Sequence, residues 1–350
     1  MAGTGRAQRA YIGSFTSAGG NGITTVAHDP QTGALTEVNR TGTVPDPSFL
    51  ALSPDAAVLY AVSEQPEGGA AAISLQDPDA PRPIGATVHV QGGAPTHLCV
   101  IDGYLLTANY TSGSISVLPI GPDGGVGEPS QVLTHEGRGP HPERQEGPHA
   151  HAVVPDPSGR WILGADLGTD TVRVYALDTA TGILRIHGEA ALRPGTGPRH
   201  LAFHPRGHRA YVVNELRSSV TVFAWNAGTG TLTPIGSAAT VSLDSSDEPN
   251  FPSEVVVSPD GRYVWVANRG HDCIAVLDLD AEGDHLELAG TTPCGGNWPR
   301  HLTLDPSGSR LYVANERSGD VTWFDVDPET GIPLLAGSVP VPAASCVVFA

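Results

Sequence analysis

Histidine, arginine and glutamate recur in this chain at two fixed distances from a repeated proline, and together these residue types can move a proton and hold an anion. The mark is Pro54, Pro157, Pro205, Pro259 and Pro306, with Asp102 in the same place of a further copy. Six residues before it stand Ser48, Thr96, His151, Arg199, Ser253 and Arg300. Ten residues after it stand Glu64, Leu167, Glu215, Arg269 and Glu316, with Tyr110 as their equivalent in a shortened copy. Imidazole is the usual general acid or base near neutral pH. A guanidinium fork binds carboxylate or phosphate through two parallel hydrogen bonds. A structural repeat needs no charge at these points, because small or apolar residues pack as well. His151, Arg199, Glu215 and Arg269 are therefore candidate catalytic residues, with Arg300 and Glu316 beside them as candidate substrate contacts.

The elements that must position these residues are strands. A phrase of about 50 residues recurs along the chain, most clearly at 201–230, 255–284 and 302–331. Each copy reads as a short apolar run, a Pro-Asp-Gly type turn, a run ending in Asn, a polar turn, a third run and a Thr-Gly turn. A period of about 20–50 residues with several β-runs per unit predicts propeller blades. We expect an all-β, seven-bladed propeller of four-stranded antiparallel blades, filling residues 1–350 as one domain. The N-terminal copy lacks its first strand, and residues 342–349 resemble one, so the last strand is expected to close the ring on the first blade. First strands line the channel of such a ring, so the residues near the mark converge on one axis. Convergent polar groups in a hollow are the default site hypothesis.

Composition narrows the function classes. The formal charge is −18, so neither nucleic acid nor an anionic membrane is an expected partner. There is no lysine among the 19 basic residues, which excludes a Schiff-base lysine and a P-loop. Only ten polar or small residues precede the first strand at Tyr11, and no apolar run approaches membrane length. Cys99, Cys273, Cys294 and Cys346 show no CxxC spacing. These features suggest reduced thiols in a cytoplasmic protein. A closed ring can stand alone, so a monomer is expected.

A Gly-, Pro- and charge-rich insertion at 134–148 runs into His149 and His151. It is expected to cover one mouth of the channel. The His-x-His pair fits either a metal site or metal-free acid/base chemistry. Metal sites want three or more supported ligands. Glu143, Glu146 and Asp166 supply no firm third one, so no metal and no cofactor is expected. His149, Asp166 and the strand-end Asn214 and Asn268 are candidate substrate contacts. His97, His200 and His301 each follow a mouth residue, and strand alternation turns them away from it, towards packing or hydrogen bonding between blades. Residues 243–252, like the insertion, are expected to shape the pocket.

Gly197-Pro198-Arg199-His200, Val213-Asn214-Glu215, Ala267-Asn268-Arg269-Gly270 and Trp298-Pro299-Arg300-His301 resemble the lactonase family of seven-bladed propellers over essentially the whole chain. Its members include bacterial 6-phosphogluconolactonases and fungal carboxy-cis,cis-muconate cyclases. The resemblance implies chemistry by a His, two Arg and a Glu. The His-x-x-x-x-Asp-Pro context maps to His151, Gly-Pro-Arg-His to Arg199, Asn-Glu to Glu215, and the Arg after the blade-six Asn to Arg269. The implied substrate is a small anionic lactone or carboxylate. The expected reaction is hydrolysis of a sugar lactone. The alternatives are a carboxymuconate-type cycloisomerase and a non-catalytic propeller that binds a protein partner.

Overall fold

The computed structural model describes residues 8–242 and 249–350. Residues 243–248 of the expected pocket-shaping segment lie outside that range. Within it, strands β1 to β28 form seven four-stranded antiparallel sheets. Blade five shows the pattern from the axis outward: β16 (Pro198–Phe203), β17 (Arg209–Asn214), β18 (Ser219–Asn226) and β19 (Thr231–Ala239). The other innermost strands are β4 (Leu50–Leu52), β8 (Pro95–Ile101), β12 (Ala150–Pro155), β20 (Phe251–Val257), β24 (Pro299–Leu304) and β28 (Ala344–Phe349). Each packs on the next around the circle, and β28 packs on β4. The ring closes as expected: β28 pairs antiparallel with β1 (Gln8–Ser14), with Ala10 opposite Phe349 and Gly13 opposite Cys346. Closure removes the open sheet edge that would otherwise pair with other chains.

Blade sequence explains blade structure. Second strands are aromatic and β-branched, as in Tyr211-Val212-Val213, and are wholly buried because blades stack on both faces. Turns carry the residue types that they require. Gly261 has φ +74°, and a Cβ there would lie 2.4 Å from His204 Nε2, so glycine alone fits.

Neighbouring blades are also latched by a repeated hydrogen bond. One aromatic at each second strand donates to a backbone carbonyl in the outer turn of the following blade. The pairs are Tyr11 to Pro78, Tyr60 to Gly124, Tyr104 to Thr179, Trp161 to Ala227, Tyr211 to Gly283, Trp265 to Gly331 and Tyr312 to Gly33. The last one joins blade seven to blade one. A buried tyrosine or indole must pair its polar atom, and the latch does so while its ring fills the space between blades.

A β-bulge near the mouth adds to one expectation from sequence. In blade five Pro198 faces Asn214, but His200 faces Val213, so Arg199 is an extra residue. Thr96, His151 and Arg300 are extra in the same way. The register also shifts in blades one and six. A bulge breaks the two-residue alternation and re-aims side chains. Both the mouth residue and its successor therefore address the axis. His97, His200 and His301 join adjacent blades by hydrogen bonds, as expected, to the Val153 amide, Glu254 and the Val347 amide. They also meet across the axis: Phe49 of blade two reaches His200 of blade five and His301 of blade seven, at ring-centroid distances of 6.0 and 5.8 Å.

Cys99, Cys273, Cys294 and Cys346 are buried and free. No helix among the described residues is long and apolar enough to cross a membrane.

Candidate active site

Glu215 lies at the exit of β17, one residue past Asn214, and three guanidiniums converge on it. Arg199 Nε is 3.1 Å and Arg269 Nη2 2.7 Å from Oε2, and Arg144 Nη2 is 2.5 Å from Oε1. Arg199 comes from the bulge of β16 and also donates to the Ser253 carbonyl. Arg269 ends β21 (Tyr263–Arg269) and donates to Phe251 O at 3.0 Å. Arg144 comes from the insertion, which reaches over the mouth as expected, and its guanidinium also approaches the Tyr110 hydroxyl. Glu215 is 3% exposed and Arg199 2%. Burial alone would raise the Glu215 pKa, but Arg269, Arg199 and Arg144 together hold it at about 2. Burial, then Arg269, pulls Arg199 down to about 9, which leaves it charged at neutral pH.

A second ion cluster adjoins the first and is more open to solvent. Arg300 Nη1 lies 3.2 Å from Glu316 Oε2 and its Nη2 3.4 Å from Glu64 Oε1. Its guanidinium caps the Phe15 ring at 4.7 Å, and Ser48 donates to Glu64. Burial pushes the Glu64 carboxyl up, against the pull of Arg300. The two clusters form one electrostatic neighbourhood, since Arg300 feels Glu215 and Arg269 feels Arg300.

Imidazoles form the adjacent tier. The His151 and His97 rings stand edge-on to His200 at 5.1 and 5.2 Å. Glu254 joins them, with Oε2 2.8 Å from His200 Nδ1 and 3.7 Å from His301 Nε2. Burial drives His97, His151 and His200 well below the ordinary 6.5, and nearby arginines add to the effect. His301 is lowered for the same first reason. Four neutral imidazoles therefore lie beside the guanidiniums and carboxylates. The arrangement can bind an anion, stabilise developing negative charge and accept a proton.

The other expected contacts are distributed differently. Arg300 and Glu316 belong to the second ion cluster. His149 stacks on Tyr110 at 4.4 Å, with Nδ1 2.9 Å from the Tyr110 carbonyl, so it flanks the mouth. Asp166 is not a substrate contact. It is fully buried in blade four, where Oδ2 meets His135 at 2.6 Å and Arg173 at 2.9 Å, and Oδ1 accepts from the His149 amide at 2.9 Å. Asn214 and Asn268 also turn into their blades, because the strand end alternates and sends only the next residue to the axis. Asn214 Nδ2 donates to Ser219 and Thr221 hydroxyls at 3.1 and 2.9 Å, and Asn268 Nδ2 to Thr240 O at 3.0 Å. Asn109 and Asn315 do the same in their blades. Replacing Asn214 by Ala should therefore cost about 1–3 kcal/mol of stability by removing the donor of the buried Thr221 hydroxyl and the half-buried Ser219 hydroxyl. KM should stay within about twofold of wild type; a large rise in KM with unchanged melting would return Asn214 to the substrate.

Arg144 and Glu254 are functional candidates that sequence reasoning did not single out. Glu254 was traceable, since it occupies the same register as His97, His200 and His301. Arg144 lies in an insertion with no repeat to align it. A groove of about 840 Å3 between blades four and five is lined by Asn214, Leu216 and Arg217 and holds none of the convergent charges. Among the described residues no group of three or more His, Cys, Asp or Glu is arranged to hold a metal ion.

Comparison with known proteins agrees with this architecture. The family described as Lactonase, 7-bladed beta-propeller matches residues 9–349. A 6-phosphogluconolactonase of Bacillus subtilis is 35% identical over 290 residues, 82% of each chain. The periplasmic gluconolactonase of Pseudomonas aeruginosa superposes with a TM-score of 0.91 at 28% identity, covering 98% of this chain and 99% of that one. A Lactobacillus plantarum protein superposes at 0.92 with 30% identity, over 99% and 100% of the two chains.

Proposed function

The chain belongs to the lactonase family of seven-bladed β-propellers, and from that premise we propose that it hydrolyses an anionic sugar lactone. The observation that carries the proposal is the meeting of Arg144, Arg199 and Arg269 on one buried carboxylate beside neutral imidazoles. The names of the Bacillus and Pseudomonas relatives support a sugar lactone as the substrate class.

The roles follow from the charge states. Glu215, held at about 2, has too little proton affinity to activate water. It is the anchor that fixes the guanidiniums. Each guanidinium has five N–H donors, so Arg199 and Arg269 keep donors for the substrate. They bind its anionic group and stabilise the oxyanion that forms when water attacks the lactone carbonyl. A neutral imidazole of the tier that holds His151 takes the water proton. It returns that proton to the ring oxygen as the C–O bond breaks, and the product is a hydroxy acid that ionises to its carboxylate. Arg300 is partly accessible and receives the anion as it enters.

The test is turnover. Wild-type protein with 6-phosphogluconolactone, unphosphorylated gluconolactone and a carboxymuconolactone, each followed by 13C NMR, should open a sugar lactone far faster than buffer does. No acceleration of either sugar lactone overturns the reading, and turnover of the carboxymuconolactone alone favours an isomerase.

The pH dependence has a definite sign. The imidazoles are depressed below 6.5, so kcat/KM should stay level from neutrality to below pH 6. It should fall only when the base takes up a proton. An acid limb centred at or above pH 6.5, measured by pH-stat after subtraction of spontaneous opening, contradicts this assignment. Folding stability shares the cause. The unfolded histidines protonate near 6.5 while the folded ones resist, so stability is full above that value and declines as pH falls through it.

A further inference from the structure

The hydrogen bonds of the imidazole tier determine which nitrogen of each ring carries the proton. His301 Nδ1 accepts the Val347 amide at 3.4 Å, and His97 Nδ1 accepts the Val153 amide at 3.5 Å. Both rings therefore carry their proton on Nε2, and His301 turns that N–H towards Glu254 Oε2 at 3.7 Å. Glu254 Oε1 accepts the Val255 amide at 3.1 Å. The Val255 amide on Oε1 and the His301 N–H directed at Oε2 favour Glu254 as an acceptor, against the burial that raises its carboxyl. The His200 Nδ1, 2.8 Å from Oε2, must then donate to it. The lone pair of His200 is thereby left on Nε2. That atom is buried and has no hydrogen-bond partner, in a side chain only 4% exposed. An unpaired buried acceptor is destabilising, and nothing in the packing of blade five requires it.

We propose that His200 Nε2, held in this tautomer by Glu254, is the atom that takes the proton from the attacking water. The assignment rests on the hydrolase reading above and specifies which imidazole acts. As the water oxygen bonds to the lactone carbonyl carbon, its proton passes to Nε2, and Glu254 stabilises the imidazolium. The same proton then passes to the departing ring oxygen as the carbon–oxygen bond breaks. The groups around His200 favour the neutral ring in the resting state. Arg199 precedes it on β16, His151 and His97 face it from β12 and β8, and Arg300 and Arg269 approach from blades seven and six. Glu254 from β20 is the counterweight, and makes His200 a positioned base where the other three rings lack so close a carboxylate. Glu254 is a positioning residue, since it acts through His200.

Tautomer and kinetics test the proposal together. In 15N-labelled wild-type protein at pH 7, long-range 1H–15N spectra, with His200 identified by the signals missing in His200→Asn, should show the proton on Nδ1. A proton on Nε2 overturns the assignment. Folded His200→Asn should lose about 10²–10⁴-fold in kcat on the lactone. Glu254→Gln should lose at least about tenfold in kcat with KM within twofold, and its acid limb should move to lower pH, since the ring has lost the charge that supports its protonation. Glu254→Asp should recover part of the rate. Wild-type protein that opens no lactone overturns the hydrolase reading. Wild-type protein that does so, while His200→Asn and Glu254→Gln keep their kcat and pH profiles, overturns only this dyad.

Discussion

Replacing Glu215 by Gln is expected to destabilise the folded protein by about 3–5 kcal/mol, the usual cost of removing one partner from a buried ion pair. The substitution keeps the shape and removes the charge, so three guanidiniums that now share one carboxylate would repel one another in a low-dielectric site. Arg199 is the most affected, because burial and Arg269 already oppose its charge and Glu215 is the strongest of the groups that support it. The loss should appear as a lower melting temperature and an earlier denaturant midpoint. Activity should fall as well, because the arginines lose their fixed geometry. Glu316→Gln is the control: that carboxylate is partly exposed and bonds a single Arg300 nitrogen, so solvent screening leaves only a small effect. If Glu215→Gln melts like wild type, Glu215 is not the anchor described here, and a purely chemical role for its carboxylate must be reconsidered.

The second large effect is expected at Arg199. Replacing it by Met keeps much of its length and removes the charge and all donors. Loss of one oxyanion donor typically reduces kcat by about 10²–10³-fold, or about 2.7–4 kcal/mol of transition-state stabilisation. The fall in kcat/KM should be at least as large, since the same group also binds the anionic substrate. Arg199→Lys should rescue little. An ammonium is a point donor and cannot hold both Glu215 and a substrate oxygen in one plane. Steady-state kinetics on the lactone that the wild type opens fastest decides the matter: kcat/KM within threefold of wild type removes Arg199 from the chemistry.

The propeller was legible because its period is written seven times, with turn residues at matching places. Closure by the last strand was legible for the same reason, as the N-terminal copy lacks the strand that residues 342–349 supply. The mouth residues stood out because Arg, His and Glu replaced the Ser and Thr of other copies. The links that His97, His200 and His301 make between neighbouring blades were legible, but their meeting at the axis was not. A bulge adds one residue to a strand without disturbing the repeat, so alternation counted along the sequence could not show that these rings also face the axis. Asp166, Asn214 and Asn268 were placed with the substrate because each adjoins a mouth position. The pleat sends one neighbour inward to the axis and the other into the blade, where the Asn side chains bond the hydroxyls and carbonyls of adjoining segments. Arg144 had no counterpart in other copies, and its meeting with Glu215 depends on the path of an insertion that no period describes.

The aromatic latches bear on how this molecule can change. Each sector is fastened to its successor around a full turn, so the angles between sectors must sum to a constant, as in a masonry arch with no free end. Opening one gap wider would force the others to narrow against packed rings. The diameter across the axis is thus a property of the whole circle and is unavailable to local adjustment. A shift in substrate preference within this architecture must come from exchanging side chains at the inward positions or from reshaping the insertion, because each wall is fastened to both of its neighbours.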